Sequence, residues 1–266
     1  MSRISVICAA HNMEGVFSFR KSIESIITQT CADIEIIICD DGSTDGTLAL
    51  LNSYASRDKR IRIISNSRNM GLAASLNRCA TYASCEYLAR HDLDDISHPN
   101  RLERQIAFME KNESVSLLGT GVYLFDGGGV YAKRAFPSRV KNEDFLFSSP
   151  YMHGSVMMRK SAFCSVGGYR VSSITRRTED YDLFMRMQSI GKGANLDEKL
   201  YYYLEDEQTR RRRKYRYRID EAIVRVQGFR RLGLLPRGIP YIIKPLIVGL
   251  LPRGMLEYMK KKYYKE

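Results

Sequence analysis

Along the first half of the chain, compact apolar runs alternate with segments whose apolar residues recur at helical spacing. Ile4 to Ala9 is a short apolar run fit for a buried strand, and Phe17 to Thr28 places Phe19, Ile23, Ile26 and Ile27 on one helical face. Ile34 to Cys39 is a β-branched run and a second buried strand. Asp45 to Tyr54 reads as a helix that Asp45 is placed to cap. Arg62 to Ile64 is a third strand, Leu72 to Ala83 a helix, Tyr87 to His91 a fourth strand, and Arg101 to Lys111 a helix with Asn100 at its N-cap. Strands and helices that take turns through short links predict a mainly parallel sheet flanked by helices.

The second half changes character. Val115 to Phe125, the Gly127-Gly128-Gly129 turn and Val130 to Phe136 form a predicted β-hairpin. His153 to Met158 reads as a strand, Glu179 to Ile190 as a helix, and Leu200 to Leu204 as a tyrosine-rich strand. From Thr209 the chain is basic and helical to about Leu232. Ile239 to Leu251 is apolar but interrupted by Pro240, Lys244 and Pro245, too short to span a bilayer and suited to lying in its interface.

A chain of 266 residues suits one large α/β domain with an appendage, and 44% hydrophobic residues suffice for a core. The net charge of +12 is unevenly spread. Residues 1–207 hold 25 Lys+Arg against 26 Asp+Glu, whereas residues 208–266 hold 17 against 4. A neutral body with a cationic tail is not the footprint of a nucleic-acid-binding core. It points to an anionic surface. The six cysteines are scattered without Cys-x-x-Cys spacing, so they are expected to be reduced, in a cytosolic compartment. Met1 to Ala10 lacks the features of a signal peptide, and no run of about 20 apolar residues occurs.

In parallel sheets of this kind, ligands bind at the carboxyl ends of strands. Just past the predicted strands stand His11-Asn12, Asp40 to Asp45, Asn66 to Gly71 and Asp92-Leu93-Asp94-Asp95. The last packs three carboxylates into four residues, which is costly unless something neutralises them. Hard oxygen ligands suit Mg²⁺ or Mn²⁺. A solvated turn with Asp95 or Ser97 as a helix cap would give the same short pattern. Asp40 and Asp41, if exposed, can accept hydrogen bonds from a base or a ribose, although a type I turn ahead of the Asp45 cap also accounts for them. There is no Gly-x-Gly-x-x-Gly and no Gly-Lys-Ser/Thr loop, which disfavours dinucleotide and P-loop chemistry.

Longer motifs are more specific. They comprise Ile4-Ser5-Val6-Ile7, His11-Asn12, Ser22 to Thr30, Glu35 to Thr47 with its Asp40-Asp41-Gly42-Ser43, Asn69-x-Gly71-Leu72, Asp92-x-Asp94-Asp95-Ile96-x-His98-Pro99-x-Arg101-Leu102, His153-Gly154-Ser155, Gly167-Gly168-Tyr169 and Glu179-Asp180-Tyr181-Asp182. In this order, over about residues 3 to 205, they resemble a family 2 inverting glycosyltransferase of GT-A fold, of the bacterial cell-surface polysaccharide type.

That resemblance implies a GT-A domain over 1–207, with a nucleotide-binding half (1–113) and an acceptor half (114–207), followed by a basic amphipathic membrane-associating tail (208–266). It implies transfer of one sugar from a nucleotide-sugar donor, UDP-linked by preference, to a glycan or polyprenyl-diphosphate-linked acceptor. Asp41 would contact the nucleobase beside the backbone of Ala9, Ala10, His11 and Asn12, with Asn69 also on the donor side. Asp92 would lie near the ribose and Asp94 would meet Mn²⁺ or Mg²⁺, with Asp95 orienting the site or sharing the metal. Asp180 would be the general base, and His153 and Glu179 would line the acceptor side.

The chain departs from the family pattern at Ala9, often Pro, and at His11, often Tyr. After the last strand the usual His is absent from Tyr202-Tyr203-Leu204-Glu205-Asp206-Glu207-Gln208, where Glu205, Asp206 or Gln208 would substitute. The processive Gln-x-x-Arg-Trp motif is missing, so a single sugar is expected per acceptor. Arg210, Arg211, Arg212 and Arg213 open a cationic run read as a contact for a membrane surface or the acceptor's diphosphate. No RNA-binding aromatic motif accompanies it, so nucleic acid is not the expected partner. The competing readings are a nucleotidyltransferase, which would need a glycine-rich loop near His11-Asn12-Met13-Glu14, and a non-catalytic basic adaptor, which would not need the acidic strand ends. The expected location is cytoplasmic, peripheral on the inner face of the plasma membrane.

Overall fold

The computed structural model describes residues 3–205 and 215–250. Asp206, Gln208 and Arg210 to Arg213 lie outside the described residues. Ten strands join one sheet: β1 (Ile4–Ala10), β2 (Ile34–Asp40), β3 (Ile61–Ser65), β4 (Tyr87–Arg90), β5 (Ile96–Ser97), β6 (Val115–Asp126), β7 (Gly129–Arg134), β8 (Arg139–Val140), β9 (Met157–Arg159) and β10 (Lys192–Leu204). The order is β3-β2-β1-β4-β9-β6-β10-β5, with β7 on β6 and β8 on β10. Strands β3, β2, β1 and β4 are mutually parallel, β9 is antiparallel to both β4 and β6, and β10 runs parallel to β6. The chain winds outward from β1 to β3, then crosses to β4 on the other side of β1. That reversal makes a crevice at the carboxyl ends of β1 and β4.

Side-chain alternation distributes the core to both faces. Ile4, Val6, Cys8, Ile36 and Ile38 pack with Phe19, Ile23, Leu51 and Leu102. These come from α1 (Phe19–Ile27), α2 (Thr47–Ala55) and α4 (Arg101–Lys111). Ile7, Ile37, Leu88 and Met158 pack on the other side with Leu76 of α3 (Leu72–Tyr82), Phe163 of α5 (Lys160–Ser165) and Phe184 of α6 (Glu179–Gln188). Asp45 stands one residue ahead of the N-cap position, Gly46, yet its Oδ1 accepts the Thr47 N–H at 3.0 Å, so it serves the helix start as expected.

Three expectations change. His153 to Met158 is not one strand: His153–Ser155 is a 3₁₀ turn and the strand is Met157–Arg159. Strand β10 has 13 residues where five were expected. Its first part is polar and bulged, and Asn195 is buried because its amide donates to the carbonyls of Pro137 and Pro150. A polar residue satisfied in this way leaves no apolar trace in the sequence. The run interrupted by prolines is a continuous helix, Ile239–Leu250, with Pro240 in its first turn and Pro245 inside.

This helix, α8, follows α7 (Arg216–Arg231), and both pack on the body. Val224 and Phe229 are fully buried in the same cluster as Phe184, and Tyr241 and Ile242 lie against it. Phe229→Ala is therefore expected to cost roughly 3–5 kcal/mol, read as a lower urea midpoint for the whole domain. A midpoint equal to that of the wild type would show that α7 contributes nothing to domain stability.

Candidate functional site

Two acidic turns border the crevice. After β2, Asp40 and Asp41 are buried, not exposed as their position in a loop suggested. The turn needs Gly42, whose φ is +68° and where a Cβ would sit 2.6 Å from the Arg68 carbonyl carbon. This close approach brings residues 66–71 alongside. The Asp41 carboxylate accepts the Asn66 amide at 2.7 Å and the N–H groups of Met70 and Gly71, each at 2.8 Å. Burial alone would raise its pKa, but these hydrogen bonds and Ser75 hold it below the usual range. His11 and Asn12 are exposed above this turn, with His11 Nδ1 3.1 Å from the Asp41 carbonyl. Asn12, at φ +52°, donates its N–H to Ser43 Oγ and accepts from Thr44 N–H. Ala9 and Ala10 close β1, Ala10 accepting from Asp41 N–H at 2.8 Å, and Asn69 is exposed on the neighbouring loop.

After β4 the three carboxylates divide their roles. Asp92 forms an ion pair with Arg90, whose side chain is fully buried and also reaches the His91 carbonyl. The Asp92 N–H donates to Tyr201 Oη at 3.0 Å. Asp95 is fully buried and accepts the Leu204 N–H at 2.7 Å, tying the end of β10 to the turn. Burial, then the charges of Asp94 and Asp92, push it well above the ordinary carboxylate range. Asp94 is half-buried, and its carbonyl accepts Ser18 Oγ at 2.6 Å. Glu205 accepts Tyr131 Oη at 2.9 Å at the rim. Among the described residues, no three His, Cys, Asp or Glu side chains converge as a metal-holding group.

The opposite wall comes from the second half of the chain. Gly154 lies so close that a Cβ there would be 2.8 Å from Asp92 Oδ2 and against Tyr201 Oη. Next to it, His153 Nε2 is 2.7 Å from the buried Tyr169 Oη. Burial and the Arg90 charge push His153 down to about 3, so it is neutral near pH 7. Glu179 and Asp180 open α6, both half-buried. Asp180 is pushed up to about 7, first by burial and then by the neighbouring Glu179 charge, against the pull of the Tyr181 N–H. Burial also raises Glu179, and Asp92 raises both groups in turn. The charge of Asp92 is thus felt by both Glu179 and Asp180. The structure brings together the acidic turn after β4, His153, Glu179 and Asp180, and sets Asp41 with Ala9 to Asn12 at the neighbouring end of β1 and β2. Hollows of about 300 Å³ (Glu14, Phe17, Arg20, Leu50) and about 480 Å³ (Ser84, Lys160, Cys164) lie apart from these acids.

Sequence reasoning missed the groups beneath the site. Arg90 was counted only as part of a strand, yet a cation inside a buried strand just before three acids is a legible sign of a counter-charge. Tyr201 carried no such sign.

An α/β sheet with acidic turns at its switch point is the GT-A glycosyltransferase architecture. S. aureus TarS 1–349 in complex with UDP-GlcNAc matches it with a TM-score of 0.72 at 18% identity, over 91% of this chain and 73% of TarS. The chain belongs to glycosyl transferase family 2, whose model matches residues 5–167. EpsE of Bacillus subtilis is 43% identical over 98% of this chain and 94% of its own. The UDP-Gal:alpha-D-GlcNAc-diphosphoundecaprenol beta-1,3-galactosyltransferase of Escherichia coli is 29% identical over 98% of this chain and 96% of its own.

The Arg90–Asp92 pair sets a stability test. Arg90→Met leaves Asp92 unpaired and is expected to destabilise by up to about 3 kcal/mol, the low end for a broken buried pair because Asp92 still reaches solvent. Urea denaturation reads the change, and an unaltered midpoint would show that the pair is energetically idle.

Proposed function

We propose that this glycosyltransferase transfers one sugar, with inversion, from a nucleotide-diphosphate sugar to a lipid-linked glycan in cell-surface polysaccharide synthesis. The reading is supported by the place of Asp180 in the first turn of α6, beside Glu179, where burial and then the Glu179 charge push its carboxyl up to about 7. The name of the E. coli relative, with its UDP-sugar donor and diphosphoundecaprenol-linked acceptor, supports the substrate class. UDP is the favoured nucleotide, and the Arg210 to Arg213 run would meet an anionic membrane surface or the acceptor's diphosphate. The reading places the enzyme in the cytoplasm, peripheral on the inner face of the plasma membrane.

The donor base would lie against the loop that Asp41 orders, with the ribose near Asp92. The residues suit a hard divalent ion. Asp94, half-buried in the turn after β4, is the carboxylate to which the family resemblance gives Mn²⁺ or Mg²⁺, ions that take one or two protein carboxylates together with phosphate oxygens. Such an ion, when bound, offsets negative charge on a departing diphosphate. Asp180 takes the proton of the acceptor hydroxyl as that oxygen bonds to the anomeric carbon. The bond from that carbon to the diphosphate oxygen breaks, and its electron pair leaves with the nucleoside diphosphate. His153, neutral near pH 7, and Glu179 would border the acceptor.

Asp180→Asn is expected to abolish transfer while UDP binding by calorimetry stays within about twofold. Normal transfer by this variant would remove the base assignment. Asp94→Ala is expected to erase the gain in UDP affinity that Mn²⁺ confers on the wild type, and an undiminished gain would place the ion elsewhere. The pH profile gives an independent check. The base works only when ionised, and its folded pKa lies above the ordinary carboxylate value. The kcat/KM value should therefore fall as pH drops through about 7 and level off above it. A rate flat from pH 5 to pH 8, roughly the window in which such a group titrates, would exclude Asp180 as that group.

A further inference from the structure

Helices α7 and α8 each bury one side and leave an apolar row on the other. On α7 the row is Ile219, Ile223 and Val226, exposed by 45%, 36% and 42%. On α8 it is Ile239, Ile243, Ile247 and Leu250, rising to 56% and 73% at the last two. The spacings of three and four residues make each row a single helical stripe. A Cβ on Gly249 would sit 3.0 Å from Arg218 and Tyr215, so the end of α8 lies against the start of α7 and the helices run antiparallel. Large side chains exposed in rows like these mark a contact surface, not the scattered exposure normal for a soluble domain.

The pair is fixed to the body. Arg225 of α7 donates to the carbonyls of Leu146 and Phe147 at 2.7 and 3.1 Å, and Lys244 of α8 donates to the Phe147 carbonyl at 3.3 Å with its ammonium over the Phe147 ring. Phe147, 55% exposed, extends the apolar surface onto the acceptor half itself. Charge selects the occupant. Arg216, Arg230, Arg231 and Arg237 are exposed on this segment. Its two acids are withdrawn: Asp220 is buried and Glu221 pairs with Arg218 and Arg225. The chain from 208 onward is strongly cationic, and no described helix is long and apolar enough to cross a membrane.

We propose that α7, α8 and Phe147 form one rigid face that docks on an anionic bilayer by inserting its isoleucine rows at the headgroup boundary, with the arginines among the headgroups. This deepens the reading of a lipid-linked acceptor and rests on it. It differs from attraction by the arginine run alone, because insertion survives salt that screens charge.

The test is flotation with vesicles of phosphatidylcholine and phosphatidylglycerol, at low salt and in molar salt. The wild type should remain bound in molar salt, and the I223E/I243E/I247E variant should lose about tenfold in bound fraction there. UDP binding and the melting temperature of the variant should match the wild type, since these positions face outward. Ile247→Glu alone should give a smaller loss in the same direction. Equal vesicle binding by wild type and variant would overturn the proposal, as would salt-labile binding of the wild type. A wild-type dimer in sedimentation that the substitutions split would also overturn it, by assigning the face to a second copy. Failure of the wild type to bind UDP would instead strike at the glycosyl-transfer reading.

Discussion

The arrangement of this site depends on one cation placed below it. Arg90 lies in the middle of the sheet, fully buried, and a guanidinium there is tolerable only because Asp92 and the His91 carbonyl receive it. The same charge allows carboxylates to gather at the end of β4 without a cation from outside for each of them. It also disfavours a second positive charge on His153, which stays neutral. Arg101, equally buried, donates to the carbonyls of Arg90 and Gly154 and lies under the Tyr201 ring. Two arginines therefore join β4, the turn at residues 153–155 and β10, three segments far apart in sequence. Polar contacts thus cross-link the floor of the crevice, while Arg90 Nε and Arg101 Nε and Nη2 are buried there without a protein partner.

What was legible in the sequence follows from what each residue buries. The parallel strands appear as apolar runs because both of their faces are covered, and Ile4 to Ala9 and Ile34 to Cys39 were placed to within a residue. The acidic strand ends were also legible, since two aspartate-rich turns fall on one edge of the predicted sheet. The interior of the site was not. Asp41 looks like any loop aspartate, and only the backbone of Met70 and Gly71, brought near by Gly42, buries and holds it. The first part of β10 was hidden because it buries a polar residue, Asn195, whose amide nitrogen donates to carbonyls from loops distant in the chain. Pro240 and Pro245 suggested a broken segment, yet a proline in the first turn costs no hydrogen bond, and packing on the body outweighs the single bond lost at Pro245.

The two halves of the site tune their carboxylates in opposite directions. In the turn after β2, Asp41 receives N–H groups that favour its charged form. At the start of α6, burial and then the neighbouring Glu179 charge disfavour the charged form of Asp180 until near neutrality. A group that recognises should not titrate, whereas a group that must take a proton works best with a pKa near the ambient pH. The contrast arises from location. Asp41 sits where loop N–H groups converge, while Asp180 is packed next to Glu179 at the start of a helix. The N–H groups at the helix start, those of Tyr181 and Asp180, pull in the opposite direction.

The C-terminal helices connect this chemistry to the position of the acceptor. Phe229 and Val224 sink into the cluster that holds Phe184 of α6, the helix that presents Asp180. The outward rows of α7 and α8 therefore stand in a set relation to Asp180, the proposed base. A flexible cationic tail would tether the domain at any angle. A packed helical pair fixes both the height and the tilt of the cleft above whatever surface it meets. An acceptor sugar joined through a diphosphate to a lipid is held at a fixed distance from that surface, so a rigid mount reduces the orientational freedom the enzyme must otherwise restrict on each encounter.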